Sequence, residues 1–195
     1  MVEMAIEVLY PGTVARMRLV NLLLSFLFTL APFHAATLER LSLEEMVQKS
    51  TEIIRGRILT SRTALRGPVV YTFVQVQVDD RWKGPAAGRV DVAIPGGDYG
   101  RMQQNFSGAP TLEQGAEYLL FLWTGKNGIT HVIGLSQGVF QINTGPNGSL
   151  TVERPASREV VLDARTGLPV NDVAISLSLE EMRGRVRQVL ADSKQ

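Results

Sequence analysis

Residues 74–79 read Val-Gln-Val-Gln-Val-Asp, and this strict alternation of apolar and polar side chains is typical of a β-strand with one buried face. The alternation returns at residues 90–94, Val-Asp-Val-Ala-Ile, and residues 53–59 form a third run rich in β-branched side chains. Residues 118–123, Tyr-Leu-Leu-Phe-Leu-Trp, are apolar throughout, which predicts a central strand covered on both faces. These patterns predict a mostly-β chain.

Two Asn-Gly pairs, Asn127-Gly128 and Asn147-Gly148, mark tight turns in the second half of the chain. Asn and Gly tolerate the positive φ angles that short hairpin turns require. Short β-like runs surround the two pairs at residues 129–133, 139–142 and 150–152. The second half is therefore predicted to be a meander of hairpins.

The string Leu-Ser-Leu-Glu-Glu-Met occurs at residues 41–46 and again at residues 177–182. The flanking residues do not repeat, so local helix chemistry explains the string better than a duplicated domain. In each copy the serine is a predicted N-cap and the second glutamate closes a capping box. The repeat predicts a short helix over about residues 42–50 and an amphipathic helix over about residues 178–191.

About five to seven short strands with a helix at each end predict a small OB-like antiparallel barrel. We expect the barrel and its N-terminal helix to occupy residues 36–153. Residues 154–195 are then a connecting segment and the C-terminal helix, packed on the same domain. Within the connecting segment, residues 160–162 are a candidate edge strand.

Several short stretches together resemble a known module: residues 54–58 (Ile-Arg-Gly-Arg-Ile), 71–73 (Tyr-Thr-Phe), 82–84 (Trp-Lys-Gly) and 115–122 (Gly-Ala-Glu-Tyr-Leu-Leu-Phe-Leu). Over roughly residues 50–143 the chain resembles the netrin-type module of metalloproteinase inhibitors and complement proteins, and more closely the version found in uncharacterised exported bacterial proteins. The resemblance implies an OB-like barrel. It does not imply protease inhibition, because the inhibitors chelate the protease metal through an N-terminal cysteine and this chain has no cysteine.

The N-terminus has the pattern of a secretory signal peptide. Arg16 and Arg18 precede an apolar run over residues 19–30, and Ala-Pro-Phe-His-Ala-Ala follows at residues 31–36. The run is shorter than the roughly 20 apolar residues of a membrane span. We therefore predict that residues 1–35 are a signal peptide, that the protein is exported to the periplasm or the extracellular space, and that no membrane span remains after cleavage.

The processing of this segment leaves an alternative open. Cleavage is expected after Ala35 or Ala36, but the residue three positions before either cut is not small. A structural protein anchored in the membrane by uncleaved residues 19–30 is therefore a second hypothesis. We expect translation to begin at Met17 rather than at Met1, because two glutamates in the first sixteen residues dilute the positive charge of a signal peptide.

Composition and motifs exclude several kinds of chemistry. The chain has 20 Lys+Arg against 19 Asp+Glu, so its overall charge disfavours nucleic acid as a partner. The absence of cysteine excludes disulfides, thiolate nucleophiles and cysteine-ligated zinc. The sequence also lacks an H-E-x-x-H motif, a calcium loop, a P-loop and a G-x-G-x-x-G motif. We therefore predict no metal and no cofactor.

Residues 134–138, Gly-Leu-Ser-Gln-Gly, match the G-x-S-x-G elbow of serine hydrolases. The elbow needs a helix after the serine, and residues 139–142 have a strand pattern instead. The histidine of that family also follows the serine in the chain, whereas His131 precedes Ser136. We therefore predict a tight turn, a packed histidine and no catalytic residue. An envelope hydrolase using Ser136, His131 and an acid such as Asp98 is the alternative, since triads recur on unrelated folds.

A long connection over residues 95–110 carries the candidate binding residues Tyr99, Arg101, Met102 and Phe106. Connections of this length without secondary structure are often functional, and aromatic residues, Met and Arg are common at interfaces. We predict a non-catalytic binding module that recognises another exported protein or a surface glycan through this loop. The alternative is a loop that caps one end of the barrel and buries Met102 and Phe106.

Overall fold

The chain folds mainly into β-strands, with a short helix near the start and a longer helix at the end. The structure, a computed structural model, describes residues 37–193, and the predicted signal peptide lies outside them. The elements in chain order are β1 (Thr37–Glu39), α1 (Leu43–Lys49), β2 (Glu52–Arg66), β3 (Val69–Lys83), β4 (Arg89–Pro95), β5 (Gly97–Tyr99), β6 (Met102–Gln104), β7 (Glu117–Thr124), β8 (Thr130–Val132), β9 (Val139–Thr144), β10 (Leu150–Arg154), β11 (Val160–Leu162), β12 (Pro169–Val170), β13 (Ile175–Ser178) and α2 (Leu179–Asp192). The predicted mostly-β class with two flanking helices is confirmed.

Five strands pair with one another in a ring. Antiparallel pairs join β7 to β2, β2 to β3 and β3 to β4, and β8 pairs with both β7 and β4. The contact between β4 and β8 is parallel and consists of one residue pair, Ala93 with His131. The ring therefore follows the order β2-β3-β4-β8-β7.

The main sheet continues beyond the ring, so the chain has more strands than predicted. Strands β9, β10 and β13 add to β7 and bring this sheet to eight strands. Residues 160–162 do form a strand, but β11 lies between β1 and β12 in a second sheet and is not an edge strand. The segment after residue 153 therefore contributes strands to both sheets as well as the C-terminal helix.

Strand β7 is central, as its apolar sequence predicts, and it separates two cores. Leu120 and Leu122 face the interior of the ring, while Leu119 and Phe121 face the two helices. All four are fully buried. Trp123 contradicts the prediction for this strand, because 48% of its surface is exposed. It lies just past the part of β7 that the helices cover.

Both predicted helices form where their N-caps are. Ser42 accepts a hydrogen bond from the Glu45 N–H, and the Glu45 carboxylate accepts one from the Ser42 N–H, which completes the predicted capping box. At α2, Ser178 accepts from the Glu181 N–H, but the Glu181 carboxylate accepts from Arg185 instead. No helix within residues 37–193 is long and apolar enough to cross a membrane.

A buried ion pair fixes the segment between β10 and β13. Arg154 donates to both carboxylate oxygens of Asp172, over 2.9 and 3.0 Å, and both side chains are over nine-tenths buried. Burial raises the pKa of the Asp172 carboxyl, but hydrogen bonds from Arg154 and from the Ser157 N–H outweigh it, so the pKa lies below its ordinary value. The pair is therefore charged at neutral pH.

Candidate functional site

One row of side chains crosses the outer surface of the ring, from one strand to the next. The register pairs Arg62 of β2 with Phe73 of β3, Phe73 with Ala93 of β4, Ala93 with His131 of β8, and His131 with Trp123 of β7. Alternate residues of a strand face opposite sides of the sheet. Because Val74 and Val76 face the interior of the ring, Phe73 faces outward. We call Arg62, Phe73, Ala93, His131 and Trp123 the cross-strand row.

The aromatic rings of the row contact one another through Tyr71, two residues before Phe73. The ring centroid of Tyr71 lies 6.2 Å from that of Phe73 and 5.7 Å from that of His131. His131 stacks on Trp123, with centroids 6.3 Å apart and planes 26° apart. Ala93 has the one small side chain of the row. The aromatic side chains of Phe73, Tyr71, His131 and Trp123 therefore form one continuous group beside the small side chain of Ala93.

A cavity of about 440 Å³ lies over Ala93. Tyr71, Ala93, His131 and Trp123 line one side of it. The other side consists of residues at β1 and in the turn before β9: Leu38, Glu39, Leu41, Gly134, Leu135 and Gln137. Lys49 and Glu39 supply charge at this side and lie 3.6 Å apart. The site is therefore mostly apolar, with aromatic rings on one wall and a few polar groups on the other, as in many ligand pockets.

His131 is hydrogen bonded and packed, but it lies on the outer surface of the ring. Its Nδ1 lies 3.1 Å from the carbonyl oxygen of Ala93. Since a carbonyl oxygen can only accept a hydrogen bond, Nδ1 carries the proton in this pair. The neighbouring Val132 is the buried residue of β8. This hydrogen bond therefore fixes the orientation of the His131 imidazole, which packs against Tyr71 on one side and Trp123 on the other.

The opposite wall of the cavity is held by Gln137, which is 2% exposed. Its side-chain carbonyl accepts a hydrogen bond from the Leu41 N–H over 2.9 Å, and its amide nitrogen donates to the Glu39 carbonyl over 2.8 Å. The amide thereby pairs with the backbone as a neighbouring strand would. Gln137 fixes the segment after β1 over the cross-strand row.

The Gly-Leu-Ser-Gln-Gly motif forms a single turn of 3₁₀-helix over Leu135–Gly138, between β8 and β9. Gly134 and Leu135 both have left-handed backbones, with φ angles of 59° and 56°. A Cβ atom at Gly138 would lie 2.8 Å from the Ile133 carbonyl oxygen and 2.9 Å from that of Phe121. Backbone geometry therefore accounts for both glycines of the motif, and the tight turn predicted from the sequence is present.

The proposed hydrolase residues do not come together. Ser136 lines a different cavity from His131, next to Tyr118 and Glu153. Strand β9 begins at Val139, directly after the turn, where a nucleophile elbow would have a helix. Asp98 lies in β5, and its backbone carbonyl accepts a hydrogen bond from Thr63. The geometry does not assemble a nucleophile, a base and an acid.

The predicted binding loop has its own secondary structure. Tyr99 and Met102 face each other across the β5–β6 hairpin, Arg101 lies in its turn, and Phe106 follows β6. Tyr99, Met102 and Phe106 are 45%, 42% and 42% exposed, so the alternative in which Met102 and Phe106 are buried is wrong. Phe106 lines a cavity of about 360 Å³ near β3 and β4, whereas Arg101 is exposed in the hairpin turn.

The hairpin and the cross-strand row lie on opposite faces of the β2–β3 pair. The Gly96 carbonyl accepts from Thr72, and the Asp98 carbonyl accepts from Thr63. Thr72 and Thr63 oppose each other in the register and point away from the face that carries Arg62 and Phe73. The structure therefore offers two separate exposed surfaces.

Sequence reasoning missed Trp123, Tyr71 and Gln137. The apolar run over residues 118–123 predicts a buried strand and so gives no sign that Trp123 is exposed, and Tyr71 contributes only to the family resemblance. The signal that could have found the row is the cross-strand register, which no local pattern contains. Gln137 is an amide between two turn glycines, and nothing in its neighbourhood indicates a contact with residues almost 100 positions earlier.

Comparison with protein-family models, with curated proteins and with solved structures found no match to this chain. The resemblance to netrin-type modules therefore stays a prediction. Within the part of the chain that the structure describes, no three His, Asp or Glu side chains are grouped as a metal site would require.

Proposed function

We propose that this chain is an exported, non-catalytic binding module whose ligand is a glycan lying on the cross-strand row. The observation that carries the proposal is the half-exposed Trp123, which continues through His131 and Tyr71 into a cavity of about 440 Å³. Exposed aromatic side chains beside an apolar cavity are costly to leave in water and often mark binding sites.

A glycan fits the chemistry of this surface. The C–H faces of a pyranose ring are apolar and stack on aromatic rings, while the hydroxyl groups need hydrogen-bond partners. The row offers the indole of Trp123 for stacking, and the ring of Tyr71 lines the same cavity beside the row. Glu39 and Lys49 on the opposite wall offer an acceptor and a donor. Barrels of the OB type also bind oligosaccharides on one face.

The test is calorimetric titration of the protein, purified after expression of the full chain, with short oligosaccharides of glucose, N-acetylglucosamine and galacturonic acid. We expect Trp123→Ala to weaken binding about fivefold or more, because stacking on an exposed ring contributes about 1–3 kcal/mol. Leu168→Ala is the matched control, since Leu168 is 63% exposed and lies outside the row. Binding of none of the three sugars, or equal binding by Trp123→Ala, would refute the proposal.

A protein partner is the second candidate, and the exposed hairpin residues favour it. Tyr99, Met102 and Phe106 form an apolar surface separate from the row. Capture of envelope proteins by the wild type and by a Tyr99→Ala/Met102→Ala/Phe106→Ala variant distinguishes the two surfaces. Equal recovery of every captured protein would dismiss the hairpin as the site.

The export part of the proposal is supported by the sequence of residues 1–35. It is tested by determining the N-terminus of the protein isolated from cells. We expect residue 36 or 37 at the N-terminus. A protein that retains residues 19–30 would support the membrane-anchored alternative instead.

A further inference from the structure

We infer that the glycan is acidic, a chain of uronic acid residues whose carboxylates bind Arg62 and Arg66 at the β2 end of the cross-strand row. The inference rests on the proposed function, because it extends the same site from the aromatic rings to the neighbouring arginines. It names the chemical class of ligand that those rings alone leave open.

Both guanidinium groups are held over the same aromatic ring. The Arg62 guanidinium lies 4.8 Å from the centroid of Phe73, and that of Arg66 lies 5.8 Å from it. Arg62 and Arg66 are four residues apart on β2, so they share the outer face. Ala64 lies between them and leaves space. A guanidinium that stacks through its face keeps its N–H groups free along its edge.

Neither arginine has an acidic partner among the residues that the structure describes. Other arginines of the same sheet are paired, such as Arg55 with Glu117 and Arg81 with Glu52. Within residues 37–193, Arg62 and Arg66 take part in no ion pair. The acid nearest to the row in the register is Asp91, two residues from Ala93 on β4, and its carboxylate accepts from Gln75. The β2 end of the row is therefore positively charged, and its guanidinium N–H groups can donate hydrogen bonds to a ligand.

The arginines continue the line of the aromatic rings. Phe73 carries the guanidinium groups on its face and lies 6.2 Å from Tyr71, which leads to His131 and Trp123. A sugar chain that stacks on Trp123 and Tyr71 and continues along the row brings its next substituents to Arg62. A carboxylate there can accept two parallel hydrogen bonds from a guanidinium.

Other polyanions fit less well. An acidic peptide such as polyglutamate supplies carboxylates but no ring for the stacking surface. A single-stranded nucleic acid supplies both rings and charge, but such binding depends on many phosphate contacts, and this chain has a formal net charge of +1. A polyuronate combines stacking rings with one carboxylate per sugar, which matches two arginines next to a band of rings.

The experiment compares hexagalacturonate with the same hexamer fully methyl-esterified, which keeps the rings and linkages and removes the charge. We expect the wild type to bind the acid about tenfold more tightly than the ester, as charge-assisted hydrogen bonds predict. We expect Arg62→Ala/Arg66→Ala to reduce this ratio to about one. Arg62→Lys/Arg66→Lys retains part of the ratio, because lysine keeps the charge and loses the bidentate geometry.

The matched control is Arg165→Ala/Arg187→Ala, which removes the same charge from two exposed arginines outside the row and should leave the ratio at its wild-type value. Equal binding of acid and ester by the wild type would overturn the inference and leave the glycan proposal standing. A ratio unaffected by Arg62→Ala/Arg66→Ala would also overturn it, as would tighter binding of a twelve-residue thymidine oligonucleotide or of polyglutamate. Loss of both sugars with Trp123→Ala supports the shared site. Binding of neither sugar by the wild type overturns the inference, and the glycan proposal then stands or falls with the oligosaccharides of glucose and N-acetylglucosamine.

Discussion

Replacing Gln137 by Glu exchanges the side-chain NH₂ group for an oxygen in the amide that holds the segment after β1 through two hydrogen bonds. The carboxylate can still accept from the Leu41 N–H, but it cannot donate to the Glu39 carbonyl, which lies 2.8 Å from the amide nitrogen. At neutral pH the exchange loses a hydrogen bond and brings two oxygen acceptors together. It also places a charge at a position that is 2% exposed.

The expected loss is about 3 kcal/mol of unfolding free energy at pH 7.5, the sum of about 1 kcal/mol for the bond and about 2 for the buried charge. Burial and the facing carbonyl raise the pKa of the introduced carboxyl in the folded state. Stability is therefore retained below the ordinary glutamate range, where the protonated acid donates to Glu39, and is lost as pH rises from about 4 towards 7. Gln137→Ala loses both bonds, so it should cost about 3 kcal/mol at either pH.

The assay is urea denaturation followed by circular dichroism, with each variant compared with the wild type at pH 4.5 and pH 7.5. Gln188→Glu is the control, because Gln188 is exposed on α2 and should change stability by less than about 0.5 kcal/mol. Hydrogen exchange at the Leu41 amide directly measures how well the hydrogen bond to Gln137 protects this segment. If Gln137→Glu matches the control at pH 7.5, or if its deficit does not shrink at pH 4.5, the buried amide does not hold this segment.

Three further outcomes follow from the same geometry. Asp172→Asn should lower stability by about 3–5 kcal/mol at pH 7 by leaving Arg154 buried without its partner; since the pKa of Asp172 is lowered in the fold, the wild-type advantage should be complete above about pH 4 and shrink as urea midpoints are followed to lower pH, through the lowered pKa. Ser136→Ala should leave stability unchanged, and a fluorophosphonate probe should not label the wild type in mass spectrometry, whereas labelled Ser136 would support a hydrolase. Gly138→Ala should cost about 2 kcal/mol or more in thermal unfolding, because its Cβ meets two backbone carbonyl oxygens at 2.8 and 2.9 Å, and an unchanged melting temperature would contradict the tight turn.

The fold was predictable where one short stretch carries its own physical signal. Alternating valines over residues 74–79 place one face of β3 in the ring, and both Asn-Gly pairs lie in the predicted hairpin turns, closed by hydrogen bonds such as Gly125 N–H to the Ile129 carbonyl. Capping chemistry located both helices to within a residue or two. These features depend on neighbours in the chain, which the sequence displays.

Features that depend on distant partners were not predictable in the same way. Strands β12 and β13 are two and four residues long, too short for a periodicity, and they form because β11 and β10 supply partners. Residues 160–162 were predictable as a strand, but the position of β11 between β1 and β12 was not. Trp123 has the same apolar surroundings in the sequence as Phe121, but the helices cover only Phe121. The cross-strand row needs the register of five strands at once, and no single segment contains it.

The ring closes between β4 and β8 through one residue pair, whereas β2 and β3 are joined along almost their whole length. That junction is therefore the place where the ring of strands opens most easily, and it lies beneath the cross-strand row. A ligand that contacts Tyr71 on one side of this junction and Trp123 on the other would hold the ring of strands closed. Since whatever binds the closed form stabilises it by mass action, occupancy of this surface should slow amide exchange around Val132 and Ile94, far more than in the helices.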